Sequence, residues 1–304
     1  MVTTEPELDA VGAFEAPYVA FLETVTHLRP RLHRYCARMT GSVLDGEDVM
    51  QEALFEAYRK LGTFDDNRPM SPWLFRIVHN RCIDFLRRRS VREDAEAAVA
   101  EPDVVQPVDP VGPALGRAVE RLVVNLPPKE RACVLLKDIL DYSLDEIAEL
   151  VDSTVGGVKA ALNRGRAKLA TVRDQPPAGR AADPELSKLL HLYVAYFNRR
   201  DWDGLRTLIS ADARLRVANC YAGRMAGAPY LTEYEQAPVR WRMAPGDIDG
   251  ESVIMALTDT AEGWTPTWMV RLDIDDGRVT RIRDYLHCPW ILTAAATVAV
   301  ANPA

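Results

Sequence analysis

From Val49 to Leu61 apolar residues recur at helical spacing, with Val49, Met50, Ala53, Leu54, Ala57 and Leu61 on one side of the wheel. Asp48, Gln51, Glu52, Phe55 and Arg59 fall on the other. The pattern predicts a helix that starts near Ser42 or Asp45 and ends at about Leu61. A second helix is expected to open with Ser71 as N-cap and Pro72 in its first turn, where a missing N–H costs nothing. It turns Leu74, Ile77, Val78, Cys82 and Phe85 inward and leaves Arg76, Asn80 and Arg87 on an outer stripe with Trp73 at its edge. Further on, Ser143 and Glu146 have the spacing of a capping box for a helix to about Leu150. A turn at Asp152 to Thr154 follows, then a helix to about Ala170 that buries Val155, Val158, Leu162 and Leu169. In the last third Trp268 to Ile274 alternates, and Asp275-Asp276-Gly277 marks a hairpin turn into Val279 to His287.

Two stretches interrupt these patterns. Residues 93 to 113 carry six acids, no basic residue and four prolines, so neither helix nor sheet is expected to persist there. Residues 174 to 184 form a second break. The 304 residues thereby divide into two helical blocks and one mixed block, in keeping with a multidomain chain.

Composition narrows the classes. A hydrophobic share of 48% with 27% charged residues excludes wholesale disorder, and a formal charge of -7 argues against a surface that is basic all over. The five cysteines are scattered and form no C-x-x-C pair, so they read as buried thiols and no metal site or cofactor is expected. The first 26 residues hold five acids and no Lys or Arg, unlike a signal peptide, and the apolar run from Ile291 to Val300 is too short to span a bilayer. The expectation is a cytoplasmic protein with no membrane partner.

Local charge is another matter. Residues 76 to 92 hold six arginines against one acid, Asp84, beside Trp73: a combination that suits phosphates and unstacked bases, or that merely favours a helix end. From Ser153 to Arg173 there are five basic residues and no acid, with Lys159, Asn163, Arg164 and Lys168 turned outward as a recognition helix requires. Helix pairs of this spacing also occur in helical proteins that bind no DNA. The carboxylate, amide and phenyl stripe of the first helix is either a solvated face or a docking face for another protein.

Taken together, DGEDVMQEALFEAYRKLGTF at 45 to 64, SPWLFRIVHNRCIDFLRRR at 71 to 89 and LPPKERACVLLKDILDYSLDEIAELVDSTVGGVKAALNRGRAKL from Leu126 resemble the extracytoplasmic-function (ECF) sigma factors, bacterial transcription initiation factors. The resemblance covers roughly residues 20 to 173. It implies two all-α domains: a core-binding and minus-10 domain over 1–92, with an acidic extension at 1–19, and a helix-turn-helix minus-35 domain over 114–173. By that likeness Asp48, Gln51, Glu52 and Phe55 grip the clamp helices of the largest subunit of core RNA polymerase. Trp73, Arg76, Asn80, Asp84, Arg87 and Arg88 engage the melted minus-10 element of the promoter DNA, and Lys159, Asn163, Arg164 and Arg166 read the minus-35 duplex. The chain departs from the family pattern at Ala160 and Ala161, where Ser and Arg are usual, so two potential DNA contacts are absent.

The third block, with LLHLYVAYFNRRDWDGLRTLISADARLRV at 189 to 217, resembles the SnoaL-like domain, an α+β cone in which helices close over a curved sheet and leave a pocket for a small ligand. Its expected span is 185–292, with a tail at 293–304. Asp284 and His287 are the nameable acid and base there, but strand alternation sends them to opposite faces, and no catalytic residue is assigned. Trp241, Trp268 and Tyr285 read as core or pocket wall. The expected function is that of a sigma factor, not an enzyme, modulated by its C-terminal domain. A ligand-responsive helix-turn-helix repressor and a small-molecule proton-transfer enzyme are the competing readings.

Overall fold

A computed structural model describes residues 8–65, 67–97, 123–171, 184–237 and 240–301. They fall into two compact units, Met1–Pro177 and Ala178–Ala304.

The first unit is helical. Helices α1 (Leu8–Thr40), α2 (Val43–Lys60) and α3 (Met70–Ala97) are followed by a short 3-10 turn at Val123–Asn125, α4 (Pro128–Val134), α5 (Leu144–Leu150) and α6 (Val155–Thr171). Ser42 caps α2, its hydroxyl accepting from the Leu44 and Asp45 N–H groups at 3.2 and 3.1 Å. The expected capping box is present at α5, where Ser143 and Glu146 bond reciprocally. Two expectations are corrected. Helix α3 begins at Met70, which makes Ser71 a first-turn residue and not the N-cap, because Pro72 still lies where no backbone N–H is needed. It also runs on to Ala97, into the segment expected to be linker, since 93–97 is Glu, Asp and Ala with no proline before Pro102. The rest of that linker, 98–113, and residues 174–183 lie outside the described residues.

One continuous core runs through this unit. Leu32, Tyr35 and Met39 of α1, Met50 of α2 and Leu74, Phe75 and Val78 of α3 belong to the same buried cluster as Cys133, Leu136, Ile147 and Leu162 of the second helical block. The Phe75 and Tyr142 rings lie 5.5 Å apart, and Arg31 donates to the Leu140 carbonyl at 3.1 Å while its guanidinium sits over the Tyr142 ring. Helices α1 and α2 come into backbone contact at Gly46, where a Cβ would lie 2.5 Å from the Ala37 nitrogen. Gly46→Ala is therefore expected to destabilise the unit by about 2 kcal/mol, despite the better helix propensity of alanine, and a urea titration followed by far-UV circular dichroism measures it.

The second unit is α+β, the class expected for the third block. Helices α7 (Pro184–Arg199), α8 (Trp202–Leu208), α9 (Tyr230–Gln236) and α10 (Trp290–Ala294) accompany strands β1 (Ile209–Val217), β2 (Tyr221–Arg224), β3 (Trp241–Ile248), β4 (Glu251–Thr260), β5 (Gly263–Asp275), β6 (Arg278–Asp284) and β7 (Val298–Val300). The sheet order is β2-β1-β6-β5-β4-β3-β7, with β1 and β6 parallel and the other pairs antiparallel. The hairpin turn forms as expected, with Asp276 and Gly277 at φ 49° and 68°. The tail expected from residue 293 is corrected: Val298–Val300 pairs with β3 as an edge strand. Leu215, Ile282 and Leu272, adjacent in register, turn toward the helices. Cysteines 36, 82, 133 and 288 are buried as expected, but Cys220, just after β1, is exposed.

Candidate protein and nucleic-acid interfaces

The outer face of α2 is built as the wheel implies. Asp48 and Gln51 are half-buried, Glu52 is exposed, and the Phe55 ring stands 64% exposed. A cleft of about 350 Å³ opens beside it, lined by Glu52, Phe55, Glu56, Arg59, Lys60 and Arg81. Glu56 accepts from Lys60 at 2.6 Å and from Arg81 of α3, which hold its carboxyl below the usual range and fix the cleft wall. Gln51 donates to Glu47 at 2.8 Å. Glu47 itself escaped sequence reasoning: it is fully buried, 3.7 Å from Arg29 and 3.9 Å from His33, and only its i,i+4 spacing to Gln51 could have drawn notice.

On α3 the structure brings Arg76, Asn80, Asp84 and Arg87 onto one stripe, with Arg88 beside it. Arg76, Asn80, Arg87 and Arg88 are exposed and Asp84 half-buried. Arg87 lies 3.5 Å from the Asp84 carboxylate, and Arg88 donates to the Asp84 carbonyl at 3.3 Å. Trp73 is half-buried against Phe64, ring centroids 4.8 Å apart, at the end of the stripe nearest the loop from Thr63. Behind the stripe His79 is buried and bonded to the Tyr35 hydroxyl at 2.7 Å. Burial lowers its pKa to about 4, so it adds no charge at neutral pH.

On α6 the four expected DNA contacts separate into two pairs. Lys159 and Asn163 are exposed and have no side-chain partner among the described residues. Arg164 and Arg166 instead reach back to the preceding helical segment: Arg164 donates to Glu130 at 2.9 Å, shared with Lys168 at 2.9 Å, and Arg166 pairs with Asp138. Both arginines stay about half exposed, so a phosphate would have to compete with these carboxylates. The departures at 160 and 161 also differ in kind. Ala160 is exposed, but Ala161 is fully buried, so only the first position faces solvent. Gly165 is buried against α4, where a Cβ would meet Val134 at 3.0 Å, which gives that glycine a packing role.

In the second unit Asp284 and His287 do not meet as a pair; the aspartate is buried and the histidine exposed. Asp284 instead accepts from the Tyr230 and Tyr234 hydroxyls at 2.8 and 2.5 Å, and Tyr234 in turn accepts from the Trp268 indole at 3.0 Å. Trp241, Trp268 and Tyr285 are buried, as core or wall. The Tyr193 hydroxyl is also buried, with no partner at hydrogen-bond geometry among the described residues. Among the described residues no cluster of His, Cys, Asp or Glu is arranged to hold a metal ion, and no helix is long and apolar enough to cross a membrane.

Comparison with known proteins places these surfaces in a context. Residues 24–92 match the family model for sigma-70 region 2, and residues 116–169 that for sigma-70 region 4. The ECF RNA polymerase sigma factor SigW of Bacillus subtilis is 36% identical over 162 residues, which cover 49% of this chain and 87% of that one. The ECF RNA polymerase sigma factor SigG of Mycobacterium tuberculosis is 31% identical over 250 residues, 72% of this chain and 66% of that one. Among solved structures, the extracytoplasmic function sigma factor SigJ of Mycobacterium tuberculosis aligns with 90% of this chain and 99% of its own, at 17% identity and a TM-score of 0.36.

Proposed function

The chain belongs to the ECF family of RNA polymerase sigma factors, and from that premise we propose how its residues divide the work of transcription initiation. It is an initiation factor that binds core RNA polymerase and directs it to promoter DNA. In our reading the α2 face of Asp48, Gln51, Glu52 and Phe55 grips the clamp helices of the largest subunit. The α3 stripe of Arg76, Asn80, Asp84, Arg87 and Arg88, with Trp73 at its end, captures the melted minus-10 strand by charge and stacking. Lys159 and Asn163 lead in the minus-35 duplex, with Arg164 and Arg166 recruited as their ion pairs exchange for phosphate. The protein acts in the cytoplasm, where the polymerase is, and the second unit modulates promoter activity.

The observation that carries this reading is Phe55, a phenyl ring left mostly in water at a cleft it shares with Glu52 and Glu56, where an aromatic side chain is suited to anchor a partner. A repressor working through its helix-turn-helix alone has no use for that face. The enzyme reading names Asp284 with His287, and those two do not pair, since Asp284 accepts from two tyrosines in the interior and His287 is exposed. Glu52→Arg is expected to weaken binding to core polymerase on the order of tenfold or more while leaving the melting temperature unchanged, because Glu52 is exposed and the substitution acts only across the interface. Equal affinity of variant and parent in a pull-down or anisotropy titration would remove the assignment.

A further inference from the structure

The face of the second unit's sheet that turns away from the Leu215, Ile282 and Leu272 row carries an array of arginines. Successive residues of a strand point to opposite faces, so the register positions flanking that row lie on the far side. One flanking row reads Arg216, Arg283, Arg271 across β1, β6 and β5. The other reads Arg224, Arg214, Arg281 across β2, β1 and β6 and ends at Asp273 of β5. Six arginines thus stand side by side on four neighbouring strands.

Among the described residues three acids pair with four of the arginines, and Arg216 too has an interaction partner. Asp273 takes Arg281 at 3.5 Å and also Arg283, Asp212 takes Arg224 at 2.5 Å, and Glu251 takes Arg271 at 3.2 Å. Arg214, at the centre of its row, is exposed and has no carboxylate partner among the described residues. The side chains of Arg271 and Arg283 are largely buried and anchor the array, whereas those of Arg224 and Arg281 are more than half exposed. Like charges placed directly opposite one another weaken a sheet, and a face that served only solubility would interleave the signs. Arginines that face one another on neighbouring strands repel, and a bound polyanion would relieve that repulsion.

We propose that this face binds the phosphate backbone of a nucleic acid. The partner must be a polyanion with regularly repeated charges, because the arginines repeat about 4.8 Å apart across strands and about 6.7 Å apart along them. The guanidinium fork suits phosphate oxygens, which it engages through two parallel N–H bonds. A nucleic-acid strand presents one monoanionic phosphate per nucleotide at a spacing comparable to the repeat along a strand, and carries no positive group to be repelled. The acids of residues 93 to 113 are irregularly spaced and interrupted by prolines, and fit the array less well. The contact would be blind to sequence and would add to whatever the helical unit reads.

The test uses the full chain without polymerase, so it stands independently of the α2 assignment. Binding to a labelled mixed-sequence duplex that lacks promoter elements is followed by fluorescence anisotropy over a range of salt concentrations, for the parent and for Arg214→Thr combined with Arg281→Thr. The variant is expected to bind about tenfold more weakly at low salt, with a salt slope reduced by about two, since each lost phosphate contact removes about 0.9. Its second unit is expected to melt at the same or a higher temperature, because repulsion has been relieved. Arg206→Thr on α8, away from the array, serves as control and is expected to leave both quantities unchanged. Unchanged affinity and slope in a folded double variant would overturn the proposal. So would tighter DNA binding, which would assign the array to the chain's own acidic segment, or loss of a dimer in sedimentation with DNA binding intact, which would assign it to a second copy.

Discussion

Arg131→Ala is expected to lower the stability of the first unit by about 4 kcal/mol, a large fraction of what a domain of this size has to spare. Arg131 sits on α4, 8% exposed, and its guanidinium fans out to three backbone carbonyls: Met39 at the end of α1, Val124 and Leu126. The Met39 carbonyl belongs to the last turn of its helix, where no intrahelical N–H remains to bond it. One side chain therefore satisfies acceptors from both helical blocks. Burial lowers its pKa to about 10, with Arg89 nearby adding to the effect, and the group still carries its charge at neutral pH. Alanine would leave the three acceptors without that donor in a closed core, each at roughly 1–3 kcal/mol, which is why the expected loss exceeds that of a surface ion pair. Arg131→Lys keeps the charge but replaces a planar fork by a point donor and is expected to recover about half. Chemical unfolding followed at the helical far-UV signal checks both. The same bonds join the block proposed to hold the minus-10 element to the block proposed to hold the minus-35 element.

None of that was legible in the sequence, and the reason is physical. Local devices were: the Ser42 cap, the Ser143 and Glu146 box, the two faces of α2 and the Asp276-Gly277 turn each depend on residues a few positions apart, and periodicity or turn chemistry exposes them. Arg131 meets Met39 across 92 positions, and Asp284 meets Tyr230 across 54, so no window of sequence contains both partners. At Arg164 and Arg166, counting cations by segment could not show that Glu130 and Asp138, from the helical segment packed beside them, pair with both. Proline likewise marked the 93 to 113 linker, yet its acidic, alanine-rich beginning simply prolongs α3. The arginine array was invisible for a third reason: alternating arginines on β1 and on β6 look unremarkable singly, and only the parallel register sets them side by side.

Asp284→Asn is expected to abolish a pH dependence that the parent shows in the second unit. Burial pushes the Asp284 carboxyl up to about 6, against the donations from Tyr234 and Tyr230 and the nearby His287, all of which pull it down. In the unfolded chain the group titrates near 3.8. Between roughly pH 4 and 6 the folded unit thus holds a proton that the unfolded chain has released, so its stability falls as pH rises through that window. The contribution is fully present below about pH 4 and lost above about pH 6, and a difference of about two pKa units corresponds to about 3 kcal/mol. Five of the six tryptophans lie in the second unit, so urea unfolding followed by indole fluorescence at pH 4.5 and pH 7 reads this unit selectively. Asparagine cannot ionise, yet it still accepts from a tyrosine, so its variant should unfold at nearly the same urea concentration at both pH values once the parent's other titrations are subtracted. Asp284→Leu provides the contrast: it strands the Tyr230 hydroxyl in the interior and deprives Tyr234 of its acceptor, and is expected to lose about 3 kcal/mol at either pH. If the parent and the asparagine variant instead shared one pH profile, the carboxyl would titrate alike in the folded and unfolded chain. The two tyrosine hydroxyls and the Leu286 N–H would then offset its burial in full, which makes Asp284 an ionised hydrogen-bond hub and not a group whose ionisation the fold opposes.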